Sequence, residues 1–193
     1  MDDYLEDFDR HFWNSGPEGF WKLERQQSFR EPGVESWEAF SRGNWDESLA
    51  LIEGQRGHYE KYFRRIAGHG FTLHRVRCVE EPISPYLQWE LHLLHLKARY
   101  GEDTRILSGD GIRRYEAERT LAEIVVLGSS VMYEVVYDSE GKLAGGIRFG
   151  DPQDISRCRR AIREMHRSGE PLDAFFSRDV ARLPPPTVTD ERV

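Results

Sequence analysis

The densest set of groups able to do chemistry lies in one stretch, Arg75-Val76-Arg77-Cys78-Val79-Glu80-Glu81-Pro82-Ile83-Ser84-Pro85-Tyr86-Leu87-Gln88-Trp89-Glu90-Leu91. Arg75 and Arg77 stand two apart, so on a strand both guanidinium groups point to the same face. A pair of planar forks suits capture of a carboxylate or phosphate when one fork is not already occupied. Downstream, Ser84 is a good N-cap and Pro85 stands at the favoured first position, which predicts a helix from Pro85 to about Arg99, stopped at Gly101. On that helix Leu87, Leu91, Leu94 and Ala98 form one apolar arc, and Trp89, Leu93 and Leu96 form another beside Tyr86. Glu90 falls between the arcs, with Lys97 near it at i+7. A carboxylate flanked by apolar surface is expensive to desolvate without a cation, which predicts Arg75 or Arg77 as its partner.

Arg75, Arg77, Glu81, Tyr86 and Glu90 are therefore the candidate ligand-binding residues. Two readings of them stay open. In one, a structural Arg–Glu network pins the helix to the sheet. In the other, a polar pocket at the strand-to-helix junction takes a small anionic metabolite. The arginines would then clamp the anion, Glu90 or Glu81 would act as acid or base, and Tyr86 would donate a hydrogen bond.

Other constellations are weaker. His92 and His95 are spaced to share a metal, but they lie on a polar stripe with Gln88 and Arg99 and no third ligand is placed by the sequence. His58, His69 and His74 make no better case, so no metal and no cofactor are expected. Ser129-Ser130 after Gly128 lacks the pattern of a nucleophile elbow, and the glycine pairs match no phosphate-binding loop. Cys78 and Cys158 lack the close spacing of a zinc or redox pair and read as reduced packing residues. Trp13, Trp21, Trp37 and Trp45 read as core and helix–sheet packing.

These groups must be positioned by a chain of 193 residues, close to the usual size of one domain. Charged residues make up 32%, yet aromatic residues reach 12%, too many for general disorder, so a packed core lies under a charged surface. A net charge of −7 argues against extended contact with a nucleic acid. The densest basic patch, Arg157, Arg159, Arg160, Arg163 and Arg167, shares its helix with Asp154 and Glu164 and reads as a solvated face. The acidic start, Met1-Asp2-Asp3-Tyr4, and the lack of a long apolar run predict a cytoplasmic protein without membrane contact.

Periodicity predicts a helix over Tyr4 to Trp13, an extended run over Phe20 to Phe29, and helices over Glu35 to Phe40, Trp45 to Glu53 and His58 to Ala67. Phe71 to Val79 reads as a central strand, with Val76 and Cys78 on one face and Leu73, Arg75, Arg77 and Val79 on the other. A short strand at Thr104 to Leu107 and three β-rich runs, Glu123 to Leu127, Val131 to Tyr137 and Leu143 to Phe149, follow. Asp138-Ser139-Glu140-Gly141 is a hairpin turn signal. Asp151-Pro152 opens a long helix, Gln153 to Arg167, after which Leu172, Phe175 and Phe176 are placed to dock as one more turn. The expected fold is a single α+β domain over residues 1–178, an antiparallel or mixed sheet with helices packed on it. Residues 179–193 are expected to form a flexible Pro-rich tail.

Three segments together carry a family resemblance: Phe20-Trp21-Lys22-Leu23-Glu24, the Arg75 to Leu91 block, and Tyr137-Asp138-Ser139-Glu140-Gly141-Lys142-Leu143-Ala144-Gly145-Gly146. They resemble an actinobacterial domain-of-unknown-function family commonly encoded beside small helix-turn-helix regulators, as in WhiJ-type loci. The resemblance covers roughly Phe8 to Arg167. It implies a shared fold and an association with regulation. The implied partner is a helix-turn-helix regulator, for which an acidic chain is electrostatically suited because such regulators are basic.

Overall fold

In the computed structural model, which describes residues 1–188, the chain forms a seven-stranded mixed sheet with helices on both faces. In chain order the elements are α1 (Asp2–Phe12), β1 (Phe20–Glu24), α2 (Glu35–Ser41), α3 (Trp45–Gly54), α4 (Arg56–Gly68), β2 (Leu73–Val79), α5 (Pro85–Ala98) and β3 (Glu102–Ser108). They continue with α6 (Asp110–Arg113), β4 (Ile124–Leu127), β5 (Val131–Tyr137), β6 (Leu143–Phe149), α7 (Pro152–Ser168), β7 (Glu170–Pro171) and α8 (Leu172–Phe175). The strand order is β6-β5-β4-β1-β2-β3-β7. Strands β1, β2 and β3 are parallel, and the rest pair antiparallel.

Parallel neighbours need long crossovers. Helices α2 to α4 supply the one between β1 and β2, and α5 supplies the one between β2 and β3. Strand β2 is consequently central and buried on both faces along most of its length.

The two faces bury different material. One face packs Trp21, Leu23, Val76, Cys78, Leu107, Val126 and Met132 against Ile155, Ile162 and Met165 of α7. The other face is apolar at both flanks. On one flank Phe20, Leu73, Val125, Leu127 and Tyr133 meet Phe12, Phe63 and Ile66. On the other, Val79 and Ile106 meet Leu87, Leu91 and Leu94 of α5 with Leu172 and Phe175. Between these flanks the strands present charged side chains.

Helix α5 starts where its cap predicts. The Ser84 hydroxyl accepts from the Leu87 N–H at 3.1 Å and donates to the Gln27 carbonyl at 2.8 Å. The two predicted arcs separate as expected: Leu87, Leu91 and Leu94 join one core cluster, while Tyr86, Trp89 and Leu96 join Phe29, Trp37, Phe40 and Ile52 in another. Asp151 caps α7 by accepting from Gln153 and Asp154 N–H groups. Cys78 is buried and Cys158 half-buried, both free thiols.

Three expectations change. The extended run predicted to reach Phe29 pairs only as far as Glu24, because Arg25 and Gln26 donate their N–H groups to the Glu123 carboxylate, not to a strand. The predicted loose tail is docked as far as it is described. Phe176–Val180 forms a π-helical turn with Val180 buried, the Gln88 amide donates to the Pro184 carbonyl at 2.9 Å, and Val188 packs against the Tyr86 cluster. Gln88 was expected on the polar stripe of α5. It is buried because this segment crosses over it. Residues 189–193 lie outside the described residues.

Candidate functional site

The charged band on the α5 face follows from strand alternation. Lys22 is in register with Arg75 and Glu24 with Arg77, and Arg75 with Thr104 on the far side, with Glu102 one step earlier on the same face. All of these side chains rise toward α5, which contributes Glu90 and Lys97. The Arg77 guanidinium, fully buried, donates from Nε to Glu90 Oε2 at 2.7 Å, and its Nη1 reaches the Glu24 and Cys78 carbonyls at 3.4 and 3.2 Å. Arg75 donates to both Glu24 and Glu102. Lys22 pairs with Glu24.

The network sets the ionisation of its members. Burial alone would raise the Glu24 carboxyl, but Arg75, Lys22 and Arg77 outweigh it and hold the group well below the usual carboxylate range. Glu102 follows the same logic, with burial opposed by Arg75 and Lys97. Burial works against the Arg75 charge, yet Glu102 and Glu24 raise its affinity for the proton further. Glu24, Glu102 and Arg75 stay charged because they are paired.

A cavity of about 530 Å³ opens beside the band. Lys22, Glu24, Arg75, Glu31, Tyr86, Glu90 and Lys97 contribute polar groups to its wall, and Trp89, Leu93 and Leu94 contribute apolar surface. Lys97 differs from the other cations here: among the described residues it makes no ion pair within 4.0 Å, and its ammonium stands 5.7 Å from the Tyr59 ring centroid. Burial lowers its proton affinity, a direction that Glu102 opposes and Arg75 and Lys22 reinforce. Across the cavity, burial raises the Glu31 carboxyl, and Glu31 Oε1 accepts from the Tyr86 hydroxyl at 3.2 Å. The Tyr86 phenol is pushed well up, first by burial and then by Glu90 and Glu31, so it stays a neutral donor. The cavity thus offers an under-neutralised ammonium and a carboxyl biased toward its neutral form.

Of the five residues expected from the sequence, the fold gathers Arg75, Arg77, Tyr86 and Glu90 and leaves Glu81 out. Glu81 is exposed, at the edge of a separate groove lined by Pro82 and the Pro184-Pro185-Pro186 segment. The Glu90 partner is Arg77. Neither arginine has an idle fork facing the cavity: Arg77 does not line it and Arg75 is taken up by two carboxylates. The cavity cation without an ion-pair partner among the described residues is Lys97, which the sequence had located only as a neighbour of Glu90. Lys22 and Glu24 repeat the i, i+2 spacing that marked Arg75 and Arg77, so that signal was available on a second strand. Glu31 and Glu102 carry no such signal, because a loop and a later strand bring them in.

The histidines expected to be unremarkable divide. His92 and His95 pack on Phe176, with ring centroids 4.9 and 4.1 Å away, and His95 Nε2 lies 3.0 Å from Asp173. His74 instead meets Asp103 and His166 on the opposite face of the sheet.

Residues 6–177 match the family described as a domain of unknown function, DUF6879. The chain belongs to this family. The match runs from within α1 to beyond α8, so the charged band and the cavity lie within the DUF6879 region. No curated protein and no solved structure matches the chain. No helix among the described residues is long and apolar enough to cross a membrane.

Proposed function

We propose that this DUF6879 protein is a cytoplasmic accessory or sensor protein that binds a small anionic metabolite in the cavity between β1, β2 and α5. The observation that carries the ligand reading is Lys97, a cation on the wall of a cavity of about 530 Å³ with no carboxylate in contact among the described residues, where the neighbouring arginines are already paired with carboxylates. A carboxylate or phosphate completes that ammonium, and the Glu31 carboxyl and Tyr86 hydroxyl meet the ligand's polar remainder. The cavity volume lies within the range of roughly 300–1,000 Å³ usual for small-molecule sites.

The regulatory part of the proposal rests on the net charge of −7, which suits a basic DNA-binding partner, and on the resemblance to proteins encoded beside helix-turn-helix regulators. A ligand that bridges α5 and the strands changes the surface α5 shares with α2 and α3, which is a route from occupancy to partner binding.

Thermal-shift measurements on the full chain with succinate, citrate, glutamate and inorganic phosphate test the ligand reading. At least one stabilises the wild type, and Lys97→Met loses that stabilisation. Equal shifts in wild type and Lys97→Met would remove the assigned site. A native pull-down that recovers no regulator, together with an unaltered transcript profile in a deletion strain, would remove the regulatory part.

A further inference from the structure

We propose that His74, Asp103 and His166 form a binding site for a divalent transition-metal ion, zinc above all, on the sheet face opposite the cavity. His74 and Asp103 are cross-strand register partners in β2 and β3. His166 comes from the last turn of α7, which packs on this face. His74 Nδ1 lies 3.6 Å from Asp103 Oδ2, His166 Nε2 lies 3.5 Å from Asp103 Oδ1, and one ligand atom from each residue falls within 4.8 Å of the others. Zinc bonds of about 2.0–2.1 Å in a tetrahedron set neighbouring ligand atoms about 3.3 Å apart, so each imidazole stands within a few tenths of an ångström of that spacing from its own carboxylate oxygen. One shared ion draws the three ligand atoms in from their 4.8 Å spread, with Asp103 offering either oxygen or both.

The state of His74 points the same way. Its Nε2 is 2.8 Å from the Thr72 hydroxyl, while its Nδ1 is buried and without a hydrogen-bond partner among the described residues. Donation from Nε2–H to Thr72 leaves the Nδ1 lone pair directed at Asp103 and His166, the arrangement by which an outer partner fixes the tautomer of a metal ligand. The Trp21 ring stacks on His74 at 4.0 Å and meets His166 edge-on at 5.5 Å, closing the inner wall. Asp103 is 45% exposed, so the ion has an open side for water.

Two contacts compete with the ion. His166 Nε2 also lies 3.0 Å from the Asp103 carbonyl, and Arg105 Nε lies 3.3 Å from Asp103 Oδ1. Binding moves the His166 proton from Nε2 to Nδ1 and releases Arg105 from that oxygen. Two imidazoles and one carboxylate select zinc, cobalt, nickel or copper over magnesium and calcium, which prefer all-oxygen sets.

The test uses the full chain without an affinity tag, stripped with a chelator and titrated with Zn²⁺ by calorimetry and with Co²⁺ by visible absorption. The expected result is one equivalent of ion bound and a Co²⁺ ligand-field band, with affinity at least tenfold weaker in His74→Gln and in Asp103→Asn and no competition from Mg²⁺. His166 is buried, so its replacement can disturb the fold, whereas His74 and Asp103 are partly exposed and carry the test. No Co²⁺ band at equimolar ion, or unchanged affinity in both variants, would overturn the site.

Discussion

The two faces of β1, β2 and β3 are both covered by helices and bury chemically different material. Against α7 the strands bury Trp21, Leu23, Val76, Cys78 and Leu107, an apolar layer that needs no partners. Against α5 the same strands bury Glu24, Arg75, Arg77 and Glu102, with Lys22 half-buried beside them, and each of these charges requires a counter-charge. Apolar burial stabilises in proportion to area removed from water, whereas a buried ion pair roughly breaks even and is costly when one partner is lost. A sheet does not need a charged face to hold a helix. The apolar α7 face needs no counter-charge to hold the fold, and the charged α5 face is the one on which the proposed ligand reading rests.

The comparison is broken most severely at Arg77. Replacing Arg77 by Met leaves Glu90, 6% exposed, without its cation, and the expected loss is about 3–5 kcal/mol in urea denaturation. The double replacement Arg77→Met with Glu90→Leu sharpens the point, since removing both charges together is expected to recover most of that loss or to stabilise by about 1–4 kcal/mol. A double variant as unstable as the single one would mean that the pair holds the fold after all. On the apolar face Leu107→Ala, at a position 2% exposed, is expected to cost about 2–5 kcal/mol with no second change able to rescue it.

Where the charged face ends, Glu123 provides a pH-dependent test. Burial and then Glu24 push its carboxyl up to about 7 from 4.5, against the pull of the Gln26 and Arg25 N–H groups. The folded pKa lies above the unfolded one, so the contribution of Glu123 is fully present below pH 4.5. It falls as pH rises between the two values and is lost above about 7, a change on the order of 3 kcal/mol. Denaturation of wild type and Glu123→Gln across this range checks it: the variant gains on the wild type as pH rises. A constant difference would show that the two backbone donors keep the carboxylate ionised. The smallest expected effect is at the helix cap, where Ser84→Ala removes the acceptor for Leu87 N–H and costs about 0.5–2 kcal/mol.

Local rules in the sequence determined much of this protein. Ser84-Pro85 located the start of α5, alternation through Phe71 to Val79 assigned the two faces of β2, and the position of Glu90 between two apolar arcs required an arginine, which is Arg77. Each of these is a short-range periodicity or a single unfavourable burial, and both are readable without knowing what lies across the chain. Tertiary structure alone decided the rest. The parallel pairing of β1 with β2 aligned Lys22 and Glu24 with the arginines and filled the Arg75 fork that the sequence left open. A docked C-terminal segment covered Gln88, and the packing of α7 on β2 and β3 brought His166, 92 positions beyond His74, to the same carboxylate. Contacts of that separation depend on register and crossover geometry, and no periodicity within one element encodes them.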